Sequence, residues 1–210
     1  MSGLFVVFEG IDGSGKSTQV TQTAEWLFNL NKRHHVTLTR EPGRSEYGVR
    51  LREILGSETD PYQRSFELAR LFIEDRVTHA QSLVRPALAY GGIVLCDRYK
   101  HSTLAFQGAQ GLPIEELVAM HPADLPVPDL TLIFDLPVKE AVRRMGAADR
   151  KVTEMFERDP AFAEKLRSNY RNVQEFLPGE YIRVIDAARP VDVIQSDVRG
   201  LLLPYLNRVA

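Results

Sequence analysis

Gly10-Ile11-Asp12-Gly13-Ser14-Gly15-Lys16-Ser17 stands directly after the apolar run Leu4 to Phe8 and just before a stretch of helical periodicity, Val20 to Leu30. This string restricts the fold more than any other part of the chain. The spacing G-x-x-x-x-G-K-[ST] puts glycines where the main chain must turn several N–H groups inward, and the helix that follows aims its partially positive end at the same spot. Such a loop, a P-loop, holds a phosphate chain. Gly10, Ile11, Asp12, Gly13, Ser14, Gly15, Lys16, Ser17 and Thr18 are the expected nucleotide cradle, with Lys16 reaching the β and γ phosphates. Ser17 offers its hydroxyl to Mg2+. ATP or GTP is the implied ligand.

Short apolar runs rich in branched residues recur at Val36 to Leu38, Ile93 to Leu95 and Leu130 to Phe134, with a weaker fifth run at Tyr181 to Ile185. Each has the length and continuity of a buried strand. Further stretches of helical periodicity lie at Val49 to Leu55, Phe66 to Val84 and Phe162 to Phe176. Strand alternating with helix predicts a parallel sheet covered on both faces, because right-handed crossovers carry the chain back over the sheet. The expected architecture is therefore a three-layer α/β P-loop NTPase fold. Pro61 suits a first helical turn, Pro86 kinks or ends the long helix, and Pro122 to Pro128 reads as a loop into the fourth strand. No segment has the length or composition of a linker, so residues 1–210 read as one domain.

Charge and cysteine content narrow the partners. Lys plus Arg number 26 against 28 Asp plus Glu, a net charge of −2 that gives no global attraction to nucleic acid or anionic lipid. Any polyanion must be met locally. No apolar run approaches the roughly 20 residues that cross a bilayer. Cys96 stands alone and Met1 leads straight into a strand, which predicts a reducing cytoplasm. Cys96 itself falls within the third strand pattern, as a small core residue more than a nucleophile. His34 and His35 are adjacent and His79, His101 and His121 are scattered, so no transition-metal site is expected.

A P-loop serves kinases, switches, motors and transporters alike. A GTPase switch would add an N-K-x-D guanine reader and a D-x-x-G segment directly after a later strand, and neither is found. What the chain does carry is a set of arginines beside turn or aromatic residues, Arg40, Arg44, Arg76 and Arg98, able to hold a second phosphorylated substrate. A kinase needs such a site. Arg98 follows the third strand at the carboxyl edge of the sheet, where ligands of open parallel sheets sit, and its planar fork suits phosphate oxygens. It is assigned to the acceptor phosphate and the charge of the transition state, with a structural ion pair as the other reading. Asp97 either orients a magnesium-bound water or fixes Arg98.

Four blocks together resemble the thymidylate kinase family, in order and over nearly the whole chain. Phe8 to Gln19 is similar to the family's P-loop, including its acidic residue at Asp12. Thr39-Arg40-Glu41-Pro42-Gly43 resembles its second-strand signature, and Leu71-Phe72-Ile73-Glu74-Asp75-Arg76 the helix carrying a stacking aromatic and an arginine. Asp97 to Gly108 is similar to D-R-Y-x-x-S-x-x-A-[YF]-Q-G. The resemblance implies strand order 2-3-1-4-5, transfer of phosphate from ATP to thymidine monophosphate, nucleotides as the partners, and a homodimer. A kinase for another monophosphate and a regulatory nucleotide-binding module without transfer are the alternatives.

The resemblance also implies individual roles. Asp12 faces the acceptor, and Pro42 and Arg44 border it. Phe72 stacks on the pyrimidine, Arg76 meets the base edge, Thr103 and Gln107 lie near base and sugar, and Phe106 joins the acceptor site. Without the resemblance, Phe72 and Phe106 would read as core aromatics. Arg144 is implied to stack near adenine. No arginine occupies the variable P-loop positions, so by elimination a lid at residues 143–153 supplies one, with Arg150 preferred over Lys151. Two departures stand out: Gly43-Arg44-Ser45 replaces the common Gly-Gly-Thr, and Thr153-Glu154-Met155-Phe156-Glu157 replaces L-D-R-[FIY]-E.

Overall fold

A computed structural model describes residues 3–57, 60, 62–147, 159–207 and 209. Five strands form one parallel sheet: β1 (Leu4–Glu9), β2 (Val36–Arg40), β3 (Ile93–Asp97), β4 (Leu130–Asp135) and β5 (Ile182–Asp186). Their order is β2-β3-β1-β4-β5, the expected one. Strands β1, β3 and β4 are buried almost throughout, whereas β2 and β5 form the edges and expose part of their length. That difference explains why the central runs are continuous in the sequence and the fifth is weak.

Alternation along each strand divides the core. Leu4, Val6 and Phe8 join Ile93 and Leu95 in the main cluster, while Phe5, Val7, Val94 and Cys96 pack with Ala80, Val84, Tyr99 and Leu125. Helices α1 (Lys16–Leu30) and α2 (Glu46–Ser57) extend the predicted segments toward their N-termini. The long helix begins as α3 (Ser65–His79) and continues through a π turn (Ala80–Val84) into α4 (Arg85–Ala89). Pro86 is the cause expected for the disturbance, because its ring crowds the carbonyl four residues back and removes a donor. The helix answers by widening: the Arg85 N–H bonds the Ala80 carbonyl, and the chain stays helical past the proline. Pro61 lies outside the described residues.

Among the described residues the remaining helices are α5 (Lys100–Ala109), α6 (Ile114–Ala119), α7 (Val138–Ala147), α8 (Pro160–Phe176), which is the predicted segment from Phe162, and α9 (Val191–Leu206). Helix α5 packs along α8, and α9 packs against α1. Residues 143–147 of the expected lid are the last turns of α7; residues 148–153, with Arg150 and Lys151, lie outside the described residues. No helix among the described residues is long and apolar enough to cross a membrane.

Candidate active site

Parallel register brings the ends of the strands to one edge. Phe8 and Arg40 both pair with Asp97, and Asp135 pairs with Asp186, so the P-loop, the end of β2 and the turn after β3 open on the same crevice. At Gly10, φ is +139°, and a Cβ there would stand 2.5 Å from the Phe134 carbonyl oxygen. Only glycine fits this approach. A Cβ on Gly13 would lie 2.8 Å from the Ala141 carbonyl oxygen, which shows how closely α7 presses on the P-loop.

Lys16 is buried, with Nζ donating to the Ile11 carbonyl at 2.9 Å and 3.7 Å from Asp12 Oδ1. Burial and the charge of Arg98 pull its pKa down to about 8, against the partial support of Asp12, Asp97 and Glu9. Two cations thus share one carboxylate oxygen, Asp12 Oδ1, which lies 3.7 Å from Lys16 Nζ and 2.5 Å from Arg98 Nη2. Ser17 Oγ donates to Asp97 Oδ2 at 2.7 Å. That contact joins a P-loop hydroxyl to a strand-end carboxylate, a pair of hard oxygen donors suited to Mg2+ and its water shell.

Arg98 leaves β3 with φ of +74°, a conformation uncommon for a residue with a Cβ, while its N–H bonds the Phe8 carbonyl at 3.0 Å. The turn aims the guanidinium across the crevice. Nη2 meets Asp12 Oδ1 at 2.5 Å, and Nη1 donates to Tyr170 Oη at 2.8 Å and Ser102 Oγ at 3.1 Å. Glu9, fully buried at the end of β1, holds this frame: Oε1 accepts the Tyr99 N–H at 2.7 Å and the Ser102 N–H at 3.1 Å, and Oε2 accepts Ser102 Oγ at 2.7 Å. Burial opposes the charge on Arg98, but Tyr170 and the carboxylates of Asp12, Glu9 and Asp97 hold its pKa above the ordinary arginine value. Burial likewise pushes the Asp12 carboxyl up, yet Arg98 and Lys16 outweigh it and bring the pKa down to about 2. At neutral pH Asp12 is an acceptor of hydrogen bonds and no acid.

The remaining predicted residues divide. Phe106 lies 5.3 Å from the Arg98 guanidinium, centroid to carbon, and edge-on to Tyr170. Arg76 meets Thr103 directly, Nη1 to Oγ1 at 3.1 Å, but its guanidinium is buried and fully engaged. Nε and Nη2 pair with Glu41 at 2.8 Å, Nη2 also reaches the Tyr99 carbonyl, and Nη1 reaches His121 Nε2 at 2.8 Å. His121 donates Nδ1–H to the Leu117 carbonyl, and burial and Arg76 lower its pKa to about 3, so its Nε2 accepts. Thr103 is buried as well, so the two side chains satisfy each other below the surface. Gln107 is buried and bonds Gln110, with its Oε1 unpartnered. Phe72 is partly buried and packs against the cluster of Leu51, Ile54 and Leu68.

Pro42 and Arg44 line a cleft of about 940 Å³ beside β2, together with Arg40, Arg52, Asp75 and His79, whereas Phe72, Arg98 and Gln107 do not border it. Arg144 is half-buried on α7 and donates Nε to Glu140 Oε1 at 2.9 Å, close to the P-loop through the Gly13–Ala141 contact. Sequence reasoning gave no role to Glu9, Tyr170 or His121. Glu9 did carry a signal, a lone charge ending an otherwise apolar strand run; Tyr170 falls on the apolar face of its helix and reads as core.

Comparison with known proteins places this geometry. The sequence matches the thymidylate kinase family profile over residues 8–198. It is 40% identical over 205 residues to a probable thymidylate kinase of Pyrococcus horikoshii, covering 96% of this chain and 97% of that one. It is 38% identical over 216 residues to a thymidylate kinase of Pseudomonas putida, covering 99% of each chain. The solved thymidylate kinase of Ehrlichia chaffeensis superposes with a TM-score of 0.74 at 28% identity, covering 96% of this chain and 99% of that one. A P-loop, a strand-end arginine and likeness along the full length agree, and the chain belongs to the thymidylate kinase family.

Proposed function

We infer that the protein transfers the γ-phosphoryl group of ATP to thymidine monophosphate, yielding dTDP and ADP. One observation carries the reading: Arg98, from the end of β3, meets Asp12 of the P-loop at 2.5 Å, so an acceptor-binding cation stands at the wall of the donor cradle. An incoming phosphate dianion competes with Asp12 for Nη2, while Tyr170 and Ser102 keep Nη1 in place. An oxygen of that phosphate then bonds to the γ phosphorus as the bond to the β-phosphate oxygen breaks. The nucleophile is already ionised, so no general base is required, and positioning and charge stabilisation supply the catalysis. Lys16 meets the charge left on the donor phosphates. Ser17 and Asp97 would hold Mg2+, whose contribution when bound is to neutralise phosphate charge.

Around this centre Pro42 and Arg44 border the acceptor, Phe72 stacks on the thymine, and Thr103, backed by Arg76, reads the base edge with Gln107. Phe106 closes the site beside the sugar, Arg144 lies near adenine, and Arg150 is the lid cation. The enzyme works in the cytoplasm as a homodimer; exposed Val49 and Leu55 of α2 and Phe66 of α3 support an apolar contact between copies. Coupled ADP release with a panel of monophosphates tests the reading. Turnover should be fastest with dTMP, with dUMP the nearest rival, because one methyl group in a pocket is worth only about 1–3 kcal/mol. Preference for a purine monophosphate, or ADP release independent of any acceptor, would contradict it.

A further inference from the structure

Asp75 is buried on α3, between the two residues of that helix that the acceptor site uses, Phe72 and Arg76, yet it faces elsewhere. Its carboxylate grips the loop before α2. Oδ2 accepts the Gly43 N–H at 2.6 Å and Oδ1 accepts the Ser45 hydroxyl at 2.5 Å. Ser45 Oγ in turn accepts the Gly48 N–H at 3.1 Å, capping the first turn of α2. The packing is close enough that a Cβ on Gly48 would stand 2.4 Å from the Gly43 carbonyl oxygen and 2.8 Å from Asp75 Oδ1. Arg52 ties the same carbonyl from the other side, Nη1 to Gly43 oxygen at 2.7 Å.

Arg44 is the residue between the two anchored neighbours. Its main chain is fixed on both sides, while its side chain is exposed and has no ion-pair partner among the described residues. A buried carboxylate that accepts an N–H and an O–H from one loop is a strong, directional clamp, and losing it would leave polar groups unpaired. We propose that Asp75 is a positioning residue for the acceptor: it fixes the loop that presents Arg44 to the cleft beside β2. The inference rests on the reading of Arg44 given above. Both carboxylate oxygens of Asp75 are taken up by the loop, and its effect passes through that loop.

The test is a double-variant cycle of Asp75→Asn and Arg44→Ala, with KM for dTMP, KM for ATP and kcat measured separately. Asparagine keeps the shape but cannot accept both donors, so KM for dTMP should rise about tenfold or more, while KM for ATP stays within about twofold. Because Asp75 acts through Arg44, the double variant should bind dTMP no worse than Arg44→Ala alone. Ser45→Ala, which removes one of the two donors, should raise the same KM less, and it keeps the test open if Asp75→Asn fails to fold. An unchanged KM for dTMP in Arg44→Ala would retire the reading of Arg44 itself. A raised KM in Arg44→Ala with none in Asp75→Asn or Ser45→Ala, or effects that multiply in the double variant, would overturn the role of Asp75 and leave that reading standing.

Discussion

The two halves of the crevice are built by opposite means. The donor cradle is main chain: its shape comes from glycines such as Gly10, whose neighbour Phe134 leaves no room for a Cβ, and its residues are contiguous. The acceptor side, on the reading proposed above, gathers side chains from β1, the ends of β2 and β3, α3, α5 and α8, and buried carboxylates hold it together. Glu9 fixes the frame of Arg98, Glu41 pairs with Arg76 and His79, and Asp75 clamps the loop of Arg44. A phosphate chain is alike in every nucleotide, so amide groups in a fixed ring suffice for it. An acceptor must be told from its rivals, which takes side chains whose placement only a satisfied buried network can hold.

The largest expected effect strikes the acceptor half. Glu41→Ala leaves the buried Arg76 guanidinium without its carboxylate and should cost about 3–5 kcal/mol in denaturant unfolding. Gly10→Ala attacks the donor half through the backbone and should lower stability by roughly 2–3 kcal/mol, with ATP binding lost even where the fold survives. Similar losses of ATP and dTMP binding in both variants would erase the division between the halves. A pH titration sharpens it. Burial and Arg98 pull the Lys16 pKa down to about 8, and a bound triphosphate favours its charged form, so ATP binding should take up a proton above that pH. Affinity for ATP should fall by up to about tenfold per unit as the pH rises past 8, seen by calorimetry in buffers of different ionisation enthalpy. Smallest is Tyr170→Phe, which removes one hydrogen bond from Arg98; transfer should slow by roughly fivefold, with KM for ATP unchanged.

The same contrast decides how much was legible in the sequence. Sheet and cradle follow from a contiguous motif and continuous apolar runs, since both are local properties of the chain, whereas the strand order was implied only by the family resemblance. Pro86 was legible as a disturbance but not as a π turn, because widening of the helix depends on the packing of Ala80 and Val84 beneath it. Arg98 could be placed by its position at a strand end; that its partner is Asp12 could not, since 86 residues separate them. Arg76 shows the limit most plainly. The family resemblance implies a base reader there, and only the fold reveals Glu41, Thr103, His121 and the Tyr99 carbonyl around its guanidinium. Tyr170 and Glu9 acquire meaning only once α8 and β1 are brought to Arg98.

Arg98→Ala tests most directly whether two separate devices meet at one edge of the sheet. ATP titration of the variant should give the wild-type Kd, while single-turnover transfer to dTMP falls by about 100-fold or more. Transfer at the wild-type rate, or ATP binding lost in proportion to transfer, would contradict the account.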